Sequence, residues 1–185
     1  YCKRTDRFFE KLKLKLRTRP FNYIFSASGD KTIQMCKYEN DTITLVKPFT
    51  GHTSWVYCAL SNKYNNKGGP INQIVSCSLD KTIKSWDIET GKCIHTIKSN
   101  QSIFSLAWWK HGQYLIEGER DSPYDIHSDE TIRLWNLNTG QQIRQFNGHT
   151  SYVFGLCKVD KNVFVSAGDD ASIKFWNMAS DTCIH

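Results

Sequence analysis

From residue 23 onward, apolar and polar residues alternate in short runs. Glycine, asparagine or aspartate breaks each run, and this period of two reads as a succession of β-strands. Residues 23–28 and 32–38 flank Gly29-Asp30-Lys31 as a hairpin, and a strand over 42–49 follows. Runs at 54–60, 71–78, 82–88 and 92–97 predict four strands, and runs at 102–109, 113–119, 130–137 and 141–146 predict four more. A last set, at 152–158, 163–167 and 172–178, stops at Asp181-Thr182-Cys183-Ile184-His185, inside its expected fourth strand. Two longer loops interrupt the rhythm, one around Asn65-Asn66-Lys67-Gly68-Gly69-Pro70 and one over 120–128. The first twenty residues fit two descriptions. Leu12, Leu14 and Leu16 alternate with lysine as in a strand, whereas Phe8, Leu12 and Leu16 recur every four as in an amphipathic helix; Pro20 ends either element.

The strand sets repeat in their residues as well as their rhythm. Gly51-His52, then Ser76, Asp80 and Ile83-Lys84-Ser85-Trp86-Asp87, return as Gly148-His149, then Ser166, Asp170 and Ile173-Lys174-Phe175-Trp176-Asn177. A third copy ends in Thr131-Ile132-Arg133-Leu134-Trp135-Asn136, and a fourth survives as Ser26 to Ile33 with Cys36 in the place of tryptophan. Trp86 and Trp135 stand 49 residues apart, Trp135 and Trp176 stand 41 apart, and the loop over 120–128 accounts for the longer interval. The glycine-histidine opening, the aspartate turn and the Trp-Asp ending resemble the WD40-repeat family over residues 21–185. The resemblance implies an all-β fold, a partial WD40 β-propeller of about 3.5–4 blades of four antiparallel strands. The blades are expected at about 21–49, 50–98, 99–147 and 148–185, behind a leader over 1–20 that is either irregular or a first inner strand. Propellers of this family most often close as seven-bladed rings. Since an open ring leaves strand edges and apolar faces wet, the chain is expected to be a fragment, or a half that completes itself by pairing.

Within the resembled family, the loop histidine, strand serine, turn aspartate and third-strand tryptophan form a hydrogen-bonded set. Carried over, the sets are His52, Ser76, Asp80 and Trp86, and His149, Ser166, Asp170 and Trp176. Their expected role is structural: a buried imidazole needs partners on both nitrogens, and an indole N–H needs an acceptor. A hydrolytic triad is the competing reading. The recurrence of the set beside a tryptophan and the lack of a G-x-S-x-G elbow argue against it, so no catalytic residue is assigned. In the third unit Glu117 replaces the serine and Lys98-Ser99-Asn100-Gln101 replaces glycine-histidine, leaving Asp129 and Trp135; that blade should be held less firmly.

Composition changes this picture little. The formal charge of +6 is concentrated in the leader, which carries four lysines and four arginines between Cys2 and Arg19. That could draw nucleic acid or an acidic surface, or be no more than a solvated end. No apolar run approaches the roughly 18 to 20 residues of a membrane span, and the first residues do not read as a signal peptide. Seven cysteines without a C-x-x-C pair argue against a disulfide framework or zinc ribbon, and reduced thiols in cytoplasm or nucleus are expected. Cys93-Ile94-His95 and Cys183-Ile184-His185 invite a metal reading but supply too few ligands each; no metal or cofactor is expected. Gly91-Lys92 lacks P-loop spacing.

In a four-strand antiparallel blade, the histidine loops, the aspartate turns and the first residues of each inner strand share one end. In the family this end is the usual partner face. Trp55 and Tyr57 flank Val56 there, Phe104 follows Ile103, and Tyr152 and Phe154 flank Val153; Leu79 and Asp169 precede the turn aspartates. The expected partner-binding set is Trp55, Tyr57, Leu79, Phe104, Tyr152, Phe154 and Asp169. For Phe104 and Phe154, packing between blades and display to a partner both stay open; Trp108-Trp109, at the far end of its strand, is assigned to packing. The resemblance implies a non-catalytic scaffold for a protein or peptide partner within a multiprotein complex. An RNA- or ribonucleoprotein-associated subunit, or a ubiquitin-ligase substrate receptor, stands as the alternative.

Overall fold

The computed structural model describes residues 23–61, 73–109, 114–120, 131–180 and 182–184. The leader, the two long loops, Asp129 and His185 lie outside the described residues. Four antiparallel sheets follow one another along the chain. The first contains β1 (Tyr23–Ala27), β2 (Thr32–Glu39) and β3 (Thr42–Thr50). The second contains β4 (Val56–Ser61), β5 (Gln73–Ser78), β6 (Thr82–Asp87) and β7 (Cys93–Lys98). The third contains β8 (Ser102–Trp109), β9 (Tyr114–Arg120), β10 (Ile132–Asn136) and β11 (Gln142–Phe146). The fourth contains β12 (Val153–Lys158), β13 (Val163–Gly168), β14 (Ile173–Asn177) and the two-residue β15 (Thr182–Cys183). Strand ends differ from the alternation pattern by only a residue or two, because the turns that bound them are set by local chemistry.

Those turns are built alike. In three blades a residue after the turn aspartate takes a positive φ: Lys31 at 73°, Lys81 at 65° and Ala171 at 58°. The aspartate stabilises this left-handed step by accepting from residues two further on. Asp30 Oδ1 accepts the Thr32 amide at 2.9 Å and its hydroxyl at 2.7 Å; Asp80 does the same for Thr82 and Asp170 for Ser172.

The sheets stack face to face as the blades of an open, partial propeller, and three cores lie between them. Ile33, Met35 and Phe49 of the first blade meet Val56, Ile74 and Trp86 of the second. Val75, Cys77 and Ile83 meet Ile103, Leu106 and Trp135, and then Trp109, Ile132 and Phe146 meet Val153, Phe164 and Trp176. Each third-strand tryptophan therefore packs back onto the preceding blade. Trp109 and Phe164 lie 6.4 Å apart edge-on, which places Trp109 in packing, and Trp108 donates its indole N–H to the Ser61 carbonyl at 3.0 Å.

One repeat position exposes the consequence of an open ring. Ile83, covered by the third blade, is 1% exposed, whereas its counterpart Ile173 on the outer side of the fourth blade is 65% exposed. Ile83→Ala should therefore cost about 2–5 kcal/mol in urea unfolding and Ile173→Ala less than about 0.5 kcal/mol. Equal losses would mean that another surface covers Ile173 in solution.

Candidate functional site

The two hydrogen-bonded sets order the end of the propeller where the candidate residues lie. Trp86 Nε1 donates to Ser76 Oγ at 2.9 Å, and that hydroxyl lies 2.8 Å from His52 Nε2. An indole can only donate, so the serine accepts from it; the Asp80 carboxylate can only accept, so the neutral ring leaves Nε2 bare and the serine hydroxyl donates to it. The imidazole then carries its proton on Nδ1, where it donates to Asp80 Oδ2 at 2.7 Å. The same oxygen accepts the Thr53 amide at 2.9 Å, which fastens the loop to the turn. The fourth blade repeats this with Trp176 to Ser166 at 2.7 Å, Ser166 to His149 at 2.6 Å and His149 to Asp170 at 2.8 Å.

Geometry also accounts for the glycine before each histidine. Gly51 and Gly148 have φ of +146° and +152°, and a Cβ there would approach the ring edges of Trp86 and Trp176 to 3.2 and 3.1 Å. Without the set, the tryptophan loses its partner. In the third blade Glu117 occupies the serine's register position, between Leu106 and Arg133, and the buried Trp135 Nε1 has no hydrogen-bond partner among the described residues.

Burial lowers the His52 pKa, against the opposing pull of Asp80, so the ring is neutral near pH 7. For Asp80 and Asp170 burial works the other way, but bonds from Thr82, Thr53 and His52, and from Ser172, Thr150 and His149, outweigh it and hold both carboxyls below their usual range. Both histidines are buried, and the serine hydroxyl each one faces is itself fully buried and already takes an indole N–H, so the set fastens loop, strand and turn together.

Above these sets runs a row of aromatic rings. Ring centroids are separated by 6.4 Å from Trp55 to Tyr57, 4.0 Å from Tyr57 to Phe104, 5.6 Å from Phe104 to Phe154 and 6.2 Å from Phe154 to Tyr152. Five of the seven expected residues thus touch in sequence across three blades. Trp55 is 55% exposed and Phe154 50% exposed, while Tyr57, Phe104 and Tyr152 are half-buried between them. Phe104 and Phe154, left open between packing and display, bridge neighbouring blades through their ring contacts along this row. Leu79 and Asp169 sit beside the row and donate their amides to the Trp55 and Tyr152 carbonyls at 3.0 and 2.8 Å. Leu79 is half-buried; Asp169 is exposed, and its carboxylate accepts from Ser151 at 3.5 Å.

Why the rings converge was not legible from alternation. Each inner strand bulges at the same place: the register skips between Val56 and Cys58, between Ile103 and Ser105, and between Val153 and Gly155. The extra residues are Tyr57, Phe104 and Phe154. A bulge leaves its residue unpaired and re-aims the side chain, which turns three rings along the rim instead of into the sheet. The signal available in sequence was the recurring triplet of β-branched residue, aromatic and small residue: Val-Tyr-Cys, Ile-Phe-Ser and Val-Phe-Gly. Gly29 was a missed participant as well, since Trp55 lies over it, with ring atoms 3.9 Å from where a Cβ would be.

Comparison with known proteins agrees with this architecture. The family profile "WD domain, G-beta repeat" matches residues 43–87 and 140–177, segments that end at Trp86-Asp87 and Trp176-Asn177. The ribosome biogenesis protein YTM1 of Scheffersomyces stipitis is 30% identical over 112 residues, covering 60% of this chain and 23% of that protein. The nuclear distribution protein PAC1 of Arthroderma otae is 28% identical over 164 residues, 86% of this chain and 34% of that one. The chain thus spans about a quarter to a third of the length of these relatives. Among solved structures, the WD40 β-propeller domain of Doa1 superposes with a TM-score of 0.72 at 24% identity, over 89% of this chain and 49% of that one, and speaks for the fold.

Two stability outcomes follow from the sets. Ser166→Ala strands His149 Nε2 and Trp176 Nε1 together and should cost about 2–4 kcal/mol by urea denaturation, from roughly 1–3 kcal/mol per orphaned buried group. Because the His52 pKa is lower in the folded protein, the unfolded chain takes up the proton first as pH falls below about 6.5. Stability should therefore decline between pH 7.5 and 5.5. The depressed carboxyls add a second loss as pH falls through and below about 3.8, and a pH series of melting curves checks both.

Proposed function

Since this chain belongs to the WD40-repeat family of β-propellers, we propose that it serves as a non-catalytic scaffold whose aromatic rim, from Trp55 to Tyr152, docks a peptide or a loop of a protein partner. The observation that carries this reading is the unbroken ring-to-ring contact across three blades with large rings left half in water at Trp55 and Phe154. Apolar rings are ordinarily withdrawn from solvent, and a contiguous exposed row of them marks a contact surface. Their mutual packing and the bulges beneath them hold the rings in place before a partner arrives, so little side-chain entropy is lost on docking. The half-buried Leu79 and the exposed carboxylate of Asp169 border the row and give it an apolar edge and an acidic one.

The ribosome biogenesis protein among the relatives favours a second reading, a subunit of a ribonucleoprotein assembly in the nucleus or cytoplasm. Rings in a row can stack bases as well as side chains. In that case binding should fall steeply with added salt, because phosphate contacts release counterions, whereas docking on the rim alone is nearly indifferent to it.

A photoreactive residue in place of Tyr152 would identify the segment that docks, and affinity for the corresponding synthetic peptide then tests the rim. Trp55→Ala and Phe154→Ala should each weaken binding about 30-fold, from about 2 kcal/mol per aromatic anchor. Ile94→Ala, in an exposed outer strand, should leave it unchanged. Unaltered affinity in the rim variants, or an equal loss at Ile94, overturns the assignment.

A further inference from the structure

Just below the rim, the second, third and fourth blades each place a pair of small residues opposite each other on their first two strands. The pairs are Cys58 and Cys77 in the second blade, Ser105 and Gly118 in the third, and Gly155 and Ala167 in the fourth. Close packing explains the preference: a Cβ on Gly118 would come within 2.6 Å of Ser105 Oγ and 2.9 Å of Val153. Of these three, only the second blade fills the position with two thiols, neither of them in a disulfide.

The repeat supplies its own ruler for the distance between them. A Cβ built on Gly155 lies 3.6 Å from the Ala167 Cβ, inside the span of about 3.5–4.5 Å that a disulfide bridges. The two cysteines differ in access. Cys77 is fully buried against Ile103 and Leu106, whereas Cys58 is partly exposed. The Cys77 thiol hydrogen-bonds to Cys58 and, against the effect of burial, holds the Cys58 thiol below its ordinary range, with the Leu106 backbone assisting. Cys58 is thus the less buried of the two and Cys77 lies behind it, the order of an attacking and a resolving cysteine.

We infer that Cys58 and Cys77 form a redox site, in which a low-molecular-weight disulfide such as oxidised glutathione converts the two thiols into a cross-strand disulfide. The Cys58 thiolate attacks one sulfur of the oxidant, whose S–S bond breaks and expels one small thiolate. Deprotonated Cys77 then attacks the Cys58 sulfur of the mixed disulfide and displaces the second. Two protein thiols are oxidised, one small disulfide is reduced to two thiols, and the protons pass to those products. The new bond ties β4 to β5 one residue beyond the bulge that holds Tyr57, so it clamps the middle of the aromatic rim. The site itself does not depend on what the rim binds.

Treatment of the full chain with oxidised glutathione, alkylation of remaining thiols and peptide mapping without reductant test this directly. The expected product is a Cys58–Cys77 linked peptide, with a mass lower by two hydrogens. The linkage should raise the melting temperature by on the order of 5 °C and slow amide exchange in β4 and β5. Cys58→Gly with Cys77→Ala copies the natural pair of the fourth blade and should fold, yet show neither linkage nor the rise in melting temperature. Alkylation of both residues after oxidation, bridges to other cysteines in their place, or a linked form that melts lower would each overturn the inference.

Discussion

A single hydroxyl, repeated once per intact blade, holds this structure in order. Ser76 and Ser166 each stand between an indole that can only donate and an imidazole that must be told which nitrogen carries its proton. In water any of these groups would find a partner at little cost. Here the serines are fully buried and the histidines nearly so, and each chain of bonds is either complete or expensive. Completion decides several things at once. It sets the tautomer that reaches the turn aspartate, it draws the histidine loop down onto the blade, and it anchors the tryptophan whose flat ring packs on the preceding blade.

The third blade shows what the chain does without that hydroxyl. Its tryptophan still packs between blades, because the apolar contact alone suffices for burial, but its indole N–H is left without a partner among the described residues. Packing and hydrogen bonding therefore contribute separately here: dispersion and burial decide where the tryptophan goes, and the polar set decides how firmly the loop above it is held. The first blade, with cysteine in place of tryptophan, keeps Ser26 and the aspartate turn, and that turn has the same left-handed step as the complete copies.

The rim depends on this order indirectly. Inner strands that simply alternated would send Tyr57, Phe104 and Phe154 into the interblade cores, where Val56, Ile103 and Val153 already lie buried. The bulge after each of these aliphatic residues frees one position from pairing and lets a ring lie along the end of the propeller. Small residues sit immediately below each bulge, and in the third blade Val153 of the neighbouring inner strand presses against one of them, Gly118. In the second blade those small residues are cysteines, which join the mechanics of the rim to thiol chemistry.

Much of this was written in the chain itself. Alternation with a period of two, turns marked by aspartate, and the recurrence of Gly-His, Ser, Asp and Trp determine four antiparallel sheets and the membership of the two polar sets, because these depend on local residue type and on a spacing that repeats. What the sequence could not determine were features that arise between strands and between blades. The register slip at each inner strand, the contact of five rings from three blades, the seat of Trp55 on Gly29, and the opposition of Cys58 to Cys77 all depend on how separate segments pack. Identical repeat positions even acquire opposite environments, as Ile83 and Ile173 do, because burial is decided by whatever lies on the other side of the sheet.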